Sequence, residues 1–271
     1  MTAVLAPGHP LSLHTPKQAL DVTFTGVGRS FGPQDFAHVV LRDITVTVKA
    51  GEVLAILGTS GCGKSTLLRA AAGLDPVNTG TVLIDGTSVH GIDERCAFAF
   101  QEPRLLPWHS LQANVAIGLP RASSASAGKA KVAELLHLVG LEDFARHRPR
   151  EVSGGMAQRA SLARALARNP GVLLLDEPFG ALDALTRIKM QDLLLDIHRA
   201  QPTTVLLVTH DVDEALQLAD RVLVLGANDD GPGSTVADLV SVPGDRPRNR
   251  NSTALAQMRS SLLSLLGVHG H

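Results

Sequence analysis

The amino-acid sequence predicts an α/β protein with a mostly parallel β-sheet at its core. Short apolar segments recur along the chain, and from residue 154 onward they alternate with longer amphipathic segments. This alternation is typical of parallel strands that are connected by helices. With 271 residues, of which 44% are hydrophobic, the chain is long enough for one large core with an appendage.

The first part of the chain predicts an antiparallel region beside this core. Alternating or apolar patterns favour strands at 21–27, 44–48 and 52–57. A Gly-rich loop follows the third strand, and a helix is predicted for 64–72. An Asp-Gly pair between two short apolar runs favours a peripheral hairpin over 81–89, because a tight turn needs residues that tolerate positive φ.

The second part of the chain begins with a predicted helical insert. Its low-complexity stretch 121–128 is expected to be a solvated linker ahead of a helix over 129–139. Helices and strands then alternate, with helices at 154–167, 183–199 and 211–218 and strands at 172–176, 203–208 and 221–225.

Composition divides the chain into three parts. We expect a flexible arm at 1–20, one domain at 21–225 and a tail at 226–271 with a possible short helix at 254–266. Within the domain, a helical subdomain is expected at about 101–168.

Composition also excludes several classes of protein. The formal net charge is −1, so no overall basic charge indicates nucleic-acid binding. Two cysteines are too few for a disulfide framework or a self-contained zinc site. The apolar runs are shorter than the ~18 residues that a spanning helix needs, and the first residues do not resemble a secretion signal. The chain is therefore expected to work in a reducing compartment without crossing a membrane.

The Gly-rich loop predicts a phosphate-binding site. It fits the pattern G-x-x-x-x-G-K-[ST] between an apolar strand and a helix, over Gly58, Thr59, Ser60, Gly61, Cys62, Gly63, Lys64, Ser65 and Thr66. Backbone N–H groups would surround one anion, Lys64 would reach the β and γ phosphates, and Ser65 would offer a hydroxyl to Mg²⁺. The alternatives are a turn that binds nothing and a reactive thiolate at Cys62.

Two acids end the apolar run that starts at Val172. Active sites in parallel sheets lie at the carboxyl ends of strands, so Asp176 is placed to hold Mg²⁺, directly or through water. Glu177, on the opposite side by strand alternation, could accept a proton from an attacking water. The alternative is a strand that simply ends in solvated acids.

The residues alone leave the roles of three further polar features undecided. His210 ends the next predicted strand, and Gln101 ends an apolar stretch, but each could be an ordinary polar residue at a strand end. Ser153, Gly154 and Gly155 open a helix, where exposed N–H groups would make a second anion site or simply form a helix cap.

Taken together, these motifs resemble those of ATP-binding-cassette ATPases. The run VSGGMAQR at 152–159, LLLDEP at 173–178 and ALD at 181–183 occur with the phosphate loop, Gln101 and His210 in the family's order, and the resemblance covers about 22–225. It implies a P-loop ATPase fold with an antiparallel β subdomain and a helical subdomain, with ATP and Mg²⁺ as ligands. It also implies a homodimer that holds each ATP between the phosphate loop of one chain and Ser153–Gly155 of the other.

The resemblance also assigns roles to single residues. Phe31 would stack on adenine, and Asp183 would bridge the two subunits. Gln101 would sense the γ phosphate through Mg²⁺ or the attacking water, and His210 would contact that phosphate. The sequence departs from the family pattern at Val152, where Leu is usual, and at Met156-Ala157, where the first position is usually Gln. Neither departure removes a group that must touch phosphate.

Within the family, the chain looks most like bacterial import ATPases for aliphatic sulfonates, with nitrate or taurine as alternatives. The segments 101–108, 176–195 and 206–225 and the Pro/Arg-rich stretch 242–250 carry this likeness. It implies integral-membrane permease subunits as partners, indirectly a solute-binding protein, and a peripheral place on the cytoplasmic face of the inner membrane. The insert over about 101–150 would carry the groove for a permease helix.

Two other classes of protein remain to be distinguished. A soluble ATPase of the same superfamily, acting in DNA repair or on ribosomes, usually has two cassettes or a long coiled coil, whereas this chain has one cassette and no sustained heptads. A small-molecule kinase would not need Ser153–Gly155 or Asp183. Phosphate release without a phosphorylated acceptor would exclude the kinase, and co-purification with a permease would exclude both.

Overall fold

The computed structural model describes residues 18–33, 36–121, 123–228 and 230–267. The strands are β1 (Val22–Phe31), β2 (His38–Val48), β3 (Val53–Gly58), β4 (Thr79–Ile84), β5 (Thr87–Ser88), β6 (Cys96–Ala99), β7 (Val172–Asp176), β8 (Thr204–Val208), β9 (Arg221–Asn228) and β10 (Gly231–Ser241). The helices are α1 (Lys64–Ala71), α2 (Leu111–Ala116), α3 (Ala125–Leu138), α4 (Gly154–Ala167), α5 (Ala184–Ala200), α6 (Val212–Leu218) and α7 (Thr253–Leu265). None of the helices in these ranges combines the length and apolar character that crossing a bilayer requires.

All the strands belong to one mixed sheet, in the order β5-β4-β1-β2-β10-β9-β3-β8-β7-β6. The half from β9 to β6 is parallel throughout. In the other half β5, β4, β1 and β2 pair antiparallel with one another, and β10 pairs antiparallel with β9 and parallel with β2. A parallel core with an antiparallel region beside it confirms the predicted α/β class.

The parallel strands are apolar on both faces because each face covers a different core. On β3, Val53, Ala55 and Leu57 pack among the helices α2 to α7. The alternate residues Leu54 and Ile56 pack against α1 and the antiparallel strands. Strands buried on both faces are therefore uninterrupted apolar runs, which is the pattern that the sequence shows.

Several boundaries differ from the sequence-based expectations, and those of β2 and α3 are two of them. β2 begins at His38 rather than at residue 44. The stretch 121–128, expected to be a linker, is helical from Ala125 onward, because Ser124 caps α3 by accepting a hydrogen bond from the Ala127 backbone N–H at 3.3 Å. Small residues also suit the packing, since Gly128 is buried close to Leu119.

The sheet also continues beyond residue 225, where the sequence predicted only a possible short helix. β10 lies between β9 and β2, and the expected helix is present as α7. Arg248 fixes the intervening segment, since its buried guanidinium donates to the carbonyls of Leu216, Gln217, Val242, Pro243 and Gly244. The expected arm at 1–20 lies outside the described residues up to position 17.

Candidate functional site

The candidate site residues follow the carboxyl ends of four neighbouring parallel strands. In the order β3-β8-β7-β6, these strand ends lead to Lys64, His210, the pair Asp176-Glu177, and Gln101. Because the strands all point the same way, their carboxyl ends meet at one edge of the sheet. Residues far apart in the sequence are thereby placed side by side.

The loop between β3 and α1 has the backbone geometry of a phosphate cradle. Gly61 and Gly63 have φ values of 81° and 95°, which other residues adopt only with strain. A Cβ at Gly63 would lie 2.6 Å from the Leu41 side chain, so glycine is required there on two grounds. Cys62 is buried within the loop, which favours a packing role over that of an accessible nucleophile.

Lys64 lies inside this loop, with only 8% of its surface exposed. Its ammonium donates to the carbonyls of Gly58 at 2.8 Å and Thr59 at 2.9 Å. The first turn of α1 carries no acidic residue. A buried cation at a helix N-terminus, held by carbonyl groups rather than by a carboxylate, suits a polyanionic ligand.

Ser65 and Asp176 form an oxygen pair beside the lysine. The Ser65 hydroxyl donates to Asp176 Oδ1 at 2.8 Å. Burial raises the pKa of Asp176, and the Ser65 hydrogen bond opposes that rise. In the described ranges no group of three or more His, Cys, Asp and Glu residues is arranged to hold a metal ion. One hydroxyl and one carboxylate nevertheless fit Mg²⁺, which takes its remaining ligands from phosphates and water.

Glu177 is at the centre of the three residues considered for catalysis. Gln101 Nε2 donates to Glu177 Oε2 at 3.1 Å, and His210 Nδ1 lies 3.3 Å from the same oxygen. Glu177 has a φ of 46°, an uncommon value for a residue with a side chain, and such strain is frequent at functional sites. The turn directs the Glu177 carboxylate toward Gln101 and His210, while Asp176 bonds to Ser65.

The other predicted contact residues lie at the exposed N-termini of α4 and α5. Ser153 caps α4 by accepting from the Met156 N–H at 3.2 Å, and Gly154 has open space where a Cβ would be. Gly155 packs beside Leu182, next to Asp183. Asp183 caps α5 by accepting from the Thr186 N–H at 3.0 Å, and this bond lowers the pKa of the exposed Asp183 carboxyl.

Phe31 lies at the end of β1, where its ring is exposed. The Arg29 guanidinium lies 4.4 Å from the ring centroid and covers part of it. An exposed ring at the edge of the antiparallel region can stack on a flat ligand such as a base.

Two polar residues of α4 have a role that the sequence did not predict. The Gln158 side chain donates to the Phe100 carbonyl at 3.1 Å, and Arg164 donates to the carbonyls of Pro103 at 2.8 Å and Arg104 at 2.9 Å. These bonds tie the segment around Gln101 to the helix that Ser153 caps. No sequence signal identifies them, because their partners are backbone atoms about 60 residues away.

Glu214 is a buried carboxyl in the first turn of α6, and its charge interacts with that of Glu177. Burial raises its pKa to about 8, the nearby Asp211 carboxylate contributes to the rise, and Arg187 opposes it. Near neutral pH this side chain is therefore largely uncharged. No sequence pattern distinguishes Glu214 from the exposed acids of the chain.

Comparison with known proteins adds an independent line of support. A family model described as ABC transporter matches residues 41–180. The aliphatic sulfonates import ATP-binding protein of Xanthomonas axonopodis pv. citri (strain 306) is 49% identical over 242 residues, covering 88% of this chain and 93% of that protein. The protein of that description from Bacillus licheniformis is 45% identical over 235 residues, covering 87% of this chain and 90% of that protein. A solved dimeric post-hydrolysis state of the ATP-binding cassette MJ0796, bound to ADP and Pi, has a TM-score of 0.74 at 32% identity, over 83% of this chain and all of that one.

The raised pKa of Glu214 predicts a specific pH dependence of stability. Between its usual pKa of 4.5 and the folded value of about 8, the folded chain binds more protons than the unfolded chain. The free energy of unfolding should therefore fall as pH rises through this window, by up to ~1.4 kcal/mol per pH unit. Replacing Glu214→Gln should flatten the curve, as measured by urea unfolding between pH 5.5 and pH 8.5.

The exposed Glu94 provides the matched control. Glu94→Gln should keep the wild-type slope. An unchanged slope in the Glu214→Gln variant would show that Glu214 is not the group responsible.

Proposed function

Because this chain belongs to the ABC transporter family, we propose that it is the ATP-hydrolysing subunit of an importer of aliphatic sulfonates. The chain is an ATPase, and ATP is its nucleotide. The observation that carries the proposed site is the convergence of strand ends, which brings a phosphate loop, an oxygen pair and a three-residue catalytic group to one edge of the sheet.

We infer that the nucleotide lies along the edge that runs from β1 to α1. Phe31 stacks on the adenine, and the loop N–H groups surround the β phosphate. Lys64 exchanges its hydrogen bonds to Gly58 and Thr59 for bonds to the β and γ phosphates. The loop carbonyls thus hold the ammonium in place before the ligand arrives, which reduces the entropic cost of binding.

Ser65 and Asp176 are the residues that would hold Mg²⁺, with Gln101 on the γ-phosphate side. When bound, Mg²⁺ neutralises charge that develops on the phosphate oxygens. The buried Asp176 supplies a carboxylate at a place where burial disfavours its charge, so a nearby cation would stabilise the ionised form.

Glu177 is the proposed general base for hydrolysis. Its carboxylate accepts a proton from the attacking water as the water oxygen bonds to the γ phosphorus and the bond to the ADP oxygen breaks. Gln101 and His210 orient this carboxylate through their contacts at 3.1 and 3.3 Å. Both side chains can also contact the water or the γ phosphate, because Gln101 and His210 are exposed toward solvent.

The surface formed by Ser153, Gly154 and Asp183 supports a second subunit as the source of the remaining contacts. The Ser153 hydroxyl accepts from the first turn of α4, and the exposed Asp183 carboxylate accepts from the first turn of α5. Leu185 and Ile188, on the outer face of α5, are exposed apolar side chains beside them. In a head-to-tail homodimer this surface would cover the γ phosphate of the opposite chain, so ATP would favour the closed dimer through contacts that only this state provides.

The helical subdomain is the proposed contact to the membrane permease. Gln158 and Arg164 connect the Gln101 segment to α4, so a change at the γ phosphate would be transmitted to this subdomain. Trp108 is 65% exposed, and Ile117 and Phe144 are also exposed apolar residues of the same insert. Such residues suit a partner helix at the cytoplasmic face of the inner membrane, with a solute-binding protein acting on the far side.

The proposed transported solute is inferred from the relatives rather than from the site, because the solute does not contact an ATPase subunit. The relatives from Xanthomonas and Bacillus are both described as aliphatic sulfonates import ATP-binding proteins. Nitrate and taurine importers are the alternative within the family.

Replacing Glu177→Gln should reduce ATP turnover by about 10²-fold to 10⁴-fold while ATP still binds. The amide keeps the shape of the side chain but cannot accept the proton. Phosphate release and nucleotide affinity are measured separately. Light scattering follows the association of two chains when ATP and Mg²⁺ are added. With Glu94→Gln as the active control, near-normal turnover in Glu177→Gln would refute the general-base role.

Replacing Lys64→Ala should weaken ATP binding by about 10-fold to 100-fold, the effect of removing one charge-assisted contact of 1.5–3 kcal/mol. Isothermal titration against the exposed Lys129→Ala variant measures this difference. Equal affinities in the two variants would place the phosphates elsewhere.

The transport proposal is tested by growth on a single sulfur or nitrogen source. A host strain that lacks the gene should lose growth on an alkanesulfonate as sulfur source, and the wild-type gene should restore it, whereas Glu177→Gln should not. If the strain instead lost growth on nitrate or on taurine, that compound would be the transported solute and the proposal of aliphatic sulfonates would be wrong.

A further inference from the structure

Arg187 forms a link that the motifs did not indicate. It lies in the first turn of α5, just after the loop that contains Asp183. Its Nη2 donates to the Leu182 carbonyl at 3.3 Å, and its Nη1 donates to Asp211 Oδ2 at 3.2 Å. A single planar guanidinium thus connects the loop before α5 to the segment between β8 and α6.

Asp211 connects Arg187 to His210, the residue that precedes it in the chain. Its Oδ1 caps α6 by accepting from the N–H groups of Asp213 at 2.9 Å and Glu214 at 3.2 Å. Its own N–H donates to Thr209 Oγ1 at 3.0 Å. Asp211 is therefore held on both sides, and His210 is the residue between Thr209 and Asp211, 3.3 Å from the Glu177 carboxylate.

The contacts beneath this link are incompletely satisfied. Arg187 Nε and Glu214 Oε1 are buried atoms without a hydrogen-bond partner among the residues that the structure describes. Unpaired buried groups are costly, so each one calls for an explanation. Arg187 is close enough to Glu214 to oppose the rise in the pKa of that carboxyl, so an unused donor and an unused acceptor lie in the same region.

We propose that Arg187 is a positioning residue that couples the loop at 180–183 to His210, so that contact of the opposite subunit with Asp183 sets the position of His210 against Glu177. The inference rests on the proposed ATPase dimer. It adds a path, internal to each chain, from the subunit contact to the catalytic group.

The test compares steady-state hydrolysis by the wild-type chain, Arg187→Met, Asp211→Asn and the double variant. Methionine keeps most of the apolar stem of Arg187, and asparagine can still cap α6, so the link is removed with little change in packing. Each single variant should lower kcat by about 10-fold to 100-fold, as expected for a misplaced catalytic group, while KM for ATP stays within about 2-fold. The double variant should be no slower than the slower single variant, because both changes remove one contact.

Arg199→Ala is the matched control, since Arg199 is also on α5 and also pairs with an aspartate, Asp196, away from the site. It should keep the wild-type kcat. Thermal unfolding identifies any variant that does not fold, and Asp211→Asn then tests the link without Arg187→Met.

Three results would overturn the coupling role. They are unchanged kcat in a folded single variant, losses that multiply in the double variant, and a loss confined to KM. If the wild-type chain itself fails to hydrolyse ATP, the proposed function is wrong, and that outcome is recognised before any variant is compared.

Discussion

The site depends on one geometric constraint, the common direction of β3, β8, β7 and β6. Each of these strands is buried, so its position is fixed by two cores rather than by the polar residues that follow it. A change of one residue in the register of any strand would exchange its two faces and displace the loop at its end. The apolar runs therefore determine the relative positions of Lys64, Asp176 and Glu177 as firmly as the polar contacts do.

This rigid frame holds ionisable groups that lack a full set of partners. Lys64 is hydrogen-bonded to carbonyls, Asp176 is buried with a hydroxyl, and Glu214 is buried with one unpaired oxygen. Each arrangement costs stability in the isolated chain, because burial disfavours charges and unpaired polar atoms. A bound nucleotide with its cation would provide partners for Lys64 and Asp176, so ligand binding and stability should be linked.

The parts of the fold and of the candidate site that could be predicted from the sequence are those marked by a short local pattern. The phosphate loop and the acids at the end of β7 were identified because a short pattern follows an apolar strand. β10 was missed because it has no regular pattern of apolar residues, and Gly, Pro, Ser and Asp are frequent in it. The start of α3 was missed because Ser124 acts as a cap only when Ala127 is helical. The Arg187 link could not be predicted, since Arg187 and Asp211 are 24 residues apart and meet only through the order of β7 and β8 in the sheet.

The division of the polar residues into two groups bears on how ATP hydrolysis could do work. Glu177 and Lys64 follow the ends of parallel strands, whereas Ser153 and Asp183 are exposed and cap their own helices. A γ phosphate held between the two would add contacts only in the closed dimer, and its release would remove them while leaving each chain folded. In the proposed dimer, the free energy available to a permease would be the difference in nucleotide contacts between the open and closed states, not the strength of binding itself. The proposed Arg187 link would couple this difference to hydrolysis, because the group around Glu177 would respond to the subunit contact. Hydrolysis would then be disfavoured in an open dimer, where it would drive no transport.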